Sequence, residues 1–271
     1  MRKTKYILIW ALFGLCVLLF LKWGGTSSSD VQNLDQQLKS PSFDHLMGTD
    51  FLGRDLGLRI VFGARVSLFI AIVTALTSTI FGTLYGAISA ICFLRGKAYK
   101  YLDLVLTRLS DFFYIFPPIL IAMFSVLMFG QGFVGIIVAI SFSGWMSHAR
   151  LVRAQVIEIS NSPHVEAARA IGAKTTNILW FHVFPLMIKP MMVSLMYLIP
   201  VNILSESFLS FVGLGVQAPL CSWGTLLADG WRGLQIYPHL FFGPGIVFVS
   251  TMLVLQILGK KVVAIKITAS H

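Results

Sequence analysis

The chain has 271 residues, of which 56% are hydrophobic and 12% charged. A soluble domain carries roughly 25% charged residues. This composition therefore excludes an ordinary globular enzyme and predicts a membrane protein. The net charge of +10 sits in short basic clusters beside apolar runs, so it reads as membrane topology and excludes nucleic-acid binding. Cys16, Cys92 and Cys221 have no metal-ligand or CxxC spacing, and they predict neither a zinc site nor a disulfide framework.

Six apolar stretches approach the length needed to cross a bilayer. In chain order they cover about residues 6–23, 66–94, 104–129, 133–148, 186–205 and 240–258. The first follows Arg2, Lys3 and Lys5, a pattern shared with signal peptides. Trp23-Gly24-Gly25-Thr26-Ser27 offers no clear small-x-small cleavage site, so an uncleaved span is expected. Residues 24–45 read as a solvated loop. Pro117-Pro118 interrupts the third stretch, either kinking the helix or shaping a path through it. Gly130-Gln131-Gly132 turns the chain into the fourth.

Lys and Arg collect on the cytoplasmic side of membrane proteins. They mark the N-terminus, residues 95–100, residues 149–189 and the C-terminus, which share one side in a six-span count. The 24–60 loop holds Asp30, Asp35, Asp44, Asp50 and Asp55 on the other side. The expected fold is an all-α, polytopic membrane helical bundle of six transmembrane helices with both termini cytoplasmic. Its parts are an N-terminal helix and extracytoplasmic loop (1–65), a transmembrane domain (66–258) with a cytoplasmic loop at 149–185, and a tail (259–271).

The 149–185 loop has the most distinctive local grammar. Ser162 suits a helix N-cap and Pro163 its first position. Glu166 to Ile171 are mostly helix formers, and Gly172 suits a left-handed C-terminal stop. A second short helix is predicted from Thr175 or Thr176 toward Pro185. Ala167, Ala168 and Ala170 give the first helix little bulk, so a partner groove can approach its backbone. Glu166 and Arg169 are three apart on one face and can pair with each other or with a partner. An unremarkable amphipathic surface helix is the competing reading of the same residues.

Glu166-Ala167-Ala168, followed after three residues by Gly172, resembles the EAA loop of binding-protein-dependent ABC permeases. His182-Val183-Phe184-Pro185 stands where that family continues toward Leu-Pro, with Phe184 a departure. The resemblance implies that Glu166, Ala167, Ala168, Arg169 and Gly172 belong to a coupling helix that docks on an ATPase subunit. Two further stretches resemble the peptide and nickel group of that family. One is Gly48-Thr49-Asp50-Phe51-Leu52-Gly53-Arg54-Asp55, then Arg59, then Gly63-Ala64-Arg65-Val66-Ser67-Leu68. The other runs from Ile203 through Glu206 to Pro219 and Trp223-Gly224, with Ala218 and Cys221 where prolines are usual.

The resemblance spans about residues 45–258 and is similar to the C-type component of dipeptide and oligopeptide transporters. It implies one pore-forming permease subunit importing peptides, or nickel or another small solute. The implied partners are a second permease subunit in a heterodimer, two ATPase subunits and an extracytoplasmic solute-binding protein, within lipid of the bacterial inner membrane. It also implies no catalytic residue and no cofactor bound directly, with ATP-Mg held by the ATPase subunits. Gly172-Ala173-Lys174-Thr175 indeed lacks the spacing of a phosphate-binding loop. From Lys260 onward the tail departs from the family pattern, so no tail contact is carried over.

For Asp50, Arg54 and Asp55 the residues themselves suggest a local ion-pair cluster. Glu206 ends an apolar run, where an unpaired charge is costly, so it is expected either to pair with a neighbouring subunit or to line a wet path. A secondary transporter is the rival class. Its ion-binding candidates are Asp103, Asp111 and Glu206, with Arg108 nearby. A degenerate, non-transporting permease is the other rival.

Overall fold

The computed structural model describes residues 31–267, the side chains of residues 97, 98, 175, 176, 189 and 261–267 excepted. The expected first span, 6–23, lies outside the described residues. The helices are α1 (Leu56–Leu94), α2 (Lys100–Ile115), α3 (Pro118–Phe129), α4 (Phe133–Ser160) and α5 (Pro163–Ala170). Then come α6 (Thr175–Ile178), a π-helical turn (Leu179–Val183), α7 (Phe184–Phe211), α8 (Trp223–Arg232) and α9 (His239–Ile267). Among the described residues the only β pairing is a single bridge between Thr49 and Asp55. This follows from the solvent: in hydrocarbon a helix satisfies its own backbone, whereas an open strand edge does not.

Four helical segments are long and apolar enough to cross a membrane: Leu56–Leu94, Phe133–Ser160, Pro190–Phe211 and His239–Lys260. Helices α2 and α3 add a fifth if taken as one span, bent by 94° between them. The bend has a local cause. Phe116 and Pro117 are extended, at ψ 137° and 129°. A proline disfavours helical backbone in the residue before it, and here two follow in sequence. Pro118 then opens α3, where its missing N–H costs nothing.

Three boundaries differ from the sequence reading. Helix α1 begins at Leu56 rather than near residue 66, because the Asp55 carboxylate caps it by accepting from the Leu58 N–H at 2.9 Å. Helix α4 does not stop at 148 but continues to Ser160. Ala149, Val152 and Val156 form a buried stripe along that continuation, while Arg150, Arg153 and Glu158 on its other faces make it read as a loop. The second short helix does not end at Pro185. It runs through the π turn into α7, and Pro185 occupies the first turn of α7.

The bundle centres on α1 and α4. Val66 and Ile70 of α1, Ala122 and Val126 of α3, and Ile136, Ala139 and Ile140 of α4 share one buried apolar cluster with Leu209 of α7. Polar side chains join the helices where two backbones come near. Thr77 and Ser141 hydroxyls lie 2.6 Å apart, and Asn202 donates to Thr74 Oγ1 at 2.9 Å. Helices α1 and α4 approach through their backbones at Gly82 and Gly86. A methyl group on Gly86 would stand 2.3 Å from the Ala149 carbonyl oxygen, and one on Gly82 would stand 2.7 Å from that of Trp145. Small residues at such crossings let membrane helices pack through their backbones. Gly86→Val forces α1 and α4 apart. We expect a destabilisation of about 1–3 kcal/mol, read as a lower midpoint of thermal unfolding in detergent.

Candidate functional site

Helix α5 stands two residues beyond α4. Ser162 has the extended backbone of an N-cap, but its hydroxyl donates back to the Ile159 carbonyl and makes no capping bond to α5. Pro163 fills the first position. The C-terminus is closed by a Schellman arrangement: Ala173 N–H donates to Ala168 O at 3.0 Å and Gly172 N–H to Arg169 O at 2.9 Å. This geometry sets Gly172 at φ +85°, where an L side chain is strained even though the space around it is open. The helix has two faces. Val165 and Ala168 are buried with Val152 and Val156 of α4 and with Ile178, Val183 and Met187. Glu166, Ala167, Arg169 and Ala170 face outward, and Ile171 is 87% exposed.

Among the described residues Glu166 and Arg169 form no ion pair with each other or with another side chain. Glu166 lies in the first turn and Arg169 in the last, so each complements the helix dipole. The site is thus a short rigid rod, rooted in the bundle by its apolar face. It offers a thin, charged surface with a carboxylate and a guanidinium free to engage a partner.

A second polar site lies ahead of α1. Asp50 Oδ2 accepts from Arg54 Nε at 2.8 Å and from Arg59 Nη1 at 2.6 Å. Its Oδ1 accepts the backbone N–H groups of Leu52 and Arg54, both at 2.9 Å. Arg59, quoted in the stretch that resembles the family's entry segment but not among the candidate site residues, is buried together with Asp50. Its spacing from Asp50 gave no helical signal, because the chain turns between them. Asp55 is separate: besides capping α1 it contacts His45 Nδ1 at 2.7 Å. Burial raises the Asp50 pKa, but the Arg54 N–H, the Arg59 charge and the Leu52 N–H outweigh it and hold the carboxyl below its ordinary value of 3.8. The cluster therefore stabilises the fold fully above that value and loses its contribution as pH falls through the lower folded value. Asp50→Asn leaves Arg59 buried without its counter-charge, and we expect a loss of about 3–5 kcal/mol at neutral pH, measured by thermal unfolding.

Glu206 neither reaches a neighbouring subunit nor lines a wet path: it is fully buried and paired inside the chain itself. Ser67 Oγ and Ser210 Oγ each donate to its carboxyl at 2.7 Å, and Ser207 Oγ lies at 3.4 Å. Ser67 in turn accepts the Trp223 backbone N–H at 3.2 Å. One carboxyl thus pins α7 to α1 and, through Ser67, to the start of α8. Ser207 and Ser210 were visible beside Glu206 in the sequence, whereas Ser67, 139 positions away, had no local signal. Glu206→Leu strands these hydroxyls and should lower the unfolding midpoint by several degrees, while Glu206→Gln keeps one acceptor oxygen and offers an amide N–H that a serine oxygen can accept, and is expected to stay nearer the parent.

Pro117 and Pro118 line a cavity of about 310 Å³ with Phe113, Ile121, Ser143 and Met146. The structure does not bring the Asp50 cluster, Glu206, the Pro117-Pro118 bend and α5 together; they are four separate places. Among the described residues no group of His, Cys, Asp or Glu could hold a metal ion.

A multi-pass helical membrane protein that carries a rigid helical stub rooted between two of its spans is the class these observations define. The family described as binding-protein-dependent transport system inner membrane component matches residues 82–265, and the chain belongs to it. The oligopeptide transport system permease protein OppC of Bacillus subtilis is 37% identical over 225 residues, covering 83% of this chain and 71% of that protein. The dipeptide transport system permease protein DppC of the same organism is 36% identical over 268 residues, covering 96% and 80%. A chain of the MetNI methionine ABC transporter in an inward-facing conformation shares the fold. Its TM-score is 0.62 at 18% identity, covering 77% of this chain and 96% of that one.

Proposed function

We propose that this chain is one of two pore-forming permease subunits of an ATP-driven importer of di- and oligopeptides in the bacterial inner membrane. The observation that carries the reading is α5, a helix whose buried face is continuous with the bundle core and whose exposed charges have no ion-pair partner among the described residues. The relatives' roles in oligopeptide and dipeptide transport support peptides as the substrate class.

In this reading the chain crosses the membrane six times with both termini cytoplasmic. The span at 6–23 precedes the described helices, and α2 with α3 forms one broken span. The chain has no ATPase site of its own. Two ATPase subunits bind ATP-Mg, a second permease subunit completes the pore, and an extracytoplasmic binding protein delivers the solute. Glu166, Ala167, Arg169 and Gly172 form the docking surface, while Ala168, expected there too, is buried against α4 and belongs to the root. Closure of the ATPase pair displaces α5, and the apolar root at Val165 and Ala168 passes the displacement to α4 and to the start of α7. Coupling of this kind needs a rigid docked element and a bundle with two packings.

Asp103 and Asp111, the candidate ion ligands of a secondary transporter, are each paired with an arginine of α4. That pairing disfavours an ion-coupled mechanism through them. The direct test is Gly172→Val. A β-branched residue at φ +85° costs about 1–3 kcal/mol and unwinds the end of α5. Co-purification of the ATPase subunits and ATP-driven uptake in proteoliposomes should both fall by about tenfold, with the permease still inserted in the membrane. Unchanged association and unchanged uptake would reject α5 as the docking element.

A further inference from the structure

Helix α2 is attached to the bundle in an unusual way. Ser110 is its only buried residue, so little apolar packing holds it in place. It is held by polar contacts at both ends and in the middle. Near its start, Asp103 Oδ1 accepts from Arg153 Nη1 of α4 at 2.6 Å. Near its end, Asp111 Oδ1 lies 3.3 Å from Arg150 Nη1, and the Arg150 guanidinium sits 4.1 Å above the Tyr114 ring. Between them, the Tyr85 hydroxyl of α1 donates to the Leu106 carbonyl at 2.6 Å. Arg153 also donates to the carbonyl and hydroxyl oxygens of Ser89 on α1, at 2.8 and 2.7 Å.

Both arginines project from the stretch of α4 that carries the root of α5. Val152, between them in sequence, belongs to the same buried cluster as Val165 and Ala168. At its other end α2 runs directly into the 94° bend at Pro117-Pro118. One rigid segment of α4 therefore grips α5 by apolar packing and α2 by charge.

We infer that Arg150 and Arg153 are positioning residues for transport: their pairs with Asp111 and Asp103 make α2 travel with α4 and carry the motion of α5 to the Pro117-Pro118 bend. The inference rests on the reading of α5 as the docking element. Charge suits the purpose. An Arg–carboxylate pair with ring stacking fixes direction and distance without a large apolar contact, so α2 can be carried as a unit rather than merged into the core. Asp103 and Asp111 are eight residues apart, two turns of one helix, and Arg150 and Arg153 are one turn apart on theirs. Two clamps on one pair of helices constrain rotation as well as translation.

The experiment uses the complete transporter in proteoliposomes, with uptake and ATP hydrolysis measured together. In the Asp103→Asn/Asp111→Asn double variant, solute uptake per ATP hydrolysed should fall by about fivefold or more while ATP hydrolysis continues. In the otherwise unaltered chain, Asp111→Arg or Arg150→Asp alone should lower uptake per ATP, whereas the two together, which exchange the charges of that pair, should bring it to within about twofold of the parent. Unchanged uptake per ATP in the double variant would overturn the inference.

A second measurement decides the matter even if that variant fails to assemble. With Cys16→Ser as background, cysteines at 111 and 150 are joined by a short, reducible bifunctional thiol reagent. The two cysteines replace the Asp111–Arg150 pair, so if α2 and α4 move as one, uptake per ATP is lowered before cross-linking and rises when the cross-link stands in for the ion pair. A further loss of uptake on cross-linking that a reductant reverses would show that the two helices must separate, and the inference would be wrong. Failure of the docking reading looks different: Gly172→Val would then leave coupling intact, whatever these pairs do.

Discussion

At Gly86 the backbone of α1 passes so near α4 that no side chain fits between them. Most of the structure depends on this contact. With no hydrophobic force between helices in lipid, close van der Waals packing and hydrogen bonds must hold them together. Gly82 and Gly86 supply the first, and the Thr77–Ser141 contact supplies the second. The contact fixes the axial position of α4, and α4 in turn positions α5, the α2 clamps and part of the core shared with α3 and α7.

Polar groups inside this bundle are consistently given local work. Asp50 uses both carboxyl oxygens to hold two arginines and two backbone donors, which shapes the approach to α1. Glu206 uses serine hydroxyls to hold three helices at one point. Neither lies near α5. The charged residues of α5 are the contrast, since Glu166 and Arg169 are exposed and have no ion-pair partner among the described residues. Buried charges that are paired serve the fold; exposed charges on a rigid, rooted helix are available to something outside the chain. This difference in environment is the physical basis for proposing α5 as a docking surface.

Much of the local architecture was legible in the residues. Ser162-Pro163 and Gly172 announced the two ends of α5, because proline at a first position and glycine at a left-handed stop are conformational necessities. The break at Pro117-Pro118 was legible for the same reason, although its 94° size was not. The length of α4 was misread because arginines on its outer faces masked the buried stripe of Ala149, Val152 and Val156. Alternating environments along one helix look like a loop when only composition is considered.

The sequence by itself determined the membrane class, since a chain this poor in charge cannot cover its apolar residues in water. It also determined both ends of α5 and the break at Pro117-Pro118, because those depend on neighbours a few positions away, but not the start of α1 or the end of α4. Only the tertiary structure decided which side chains meet. Ser67 and Glu206 are 139 positions apart, and Arg153 and Asp103 are 50 apart. No local pattern encodes such pairs, because they are set by how helices lie against one another. In this chain that arrangement follows from the near-contact of two backbones at Gly82 and Gly86.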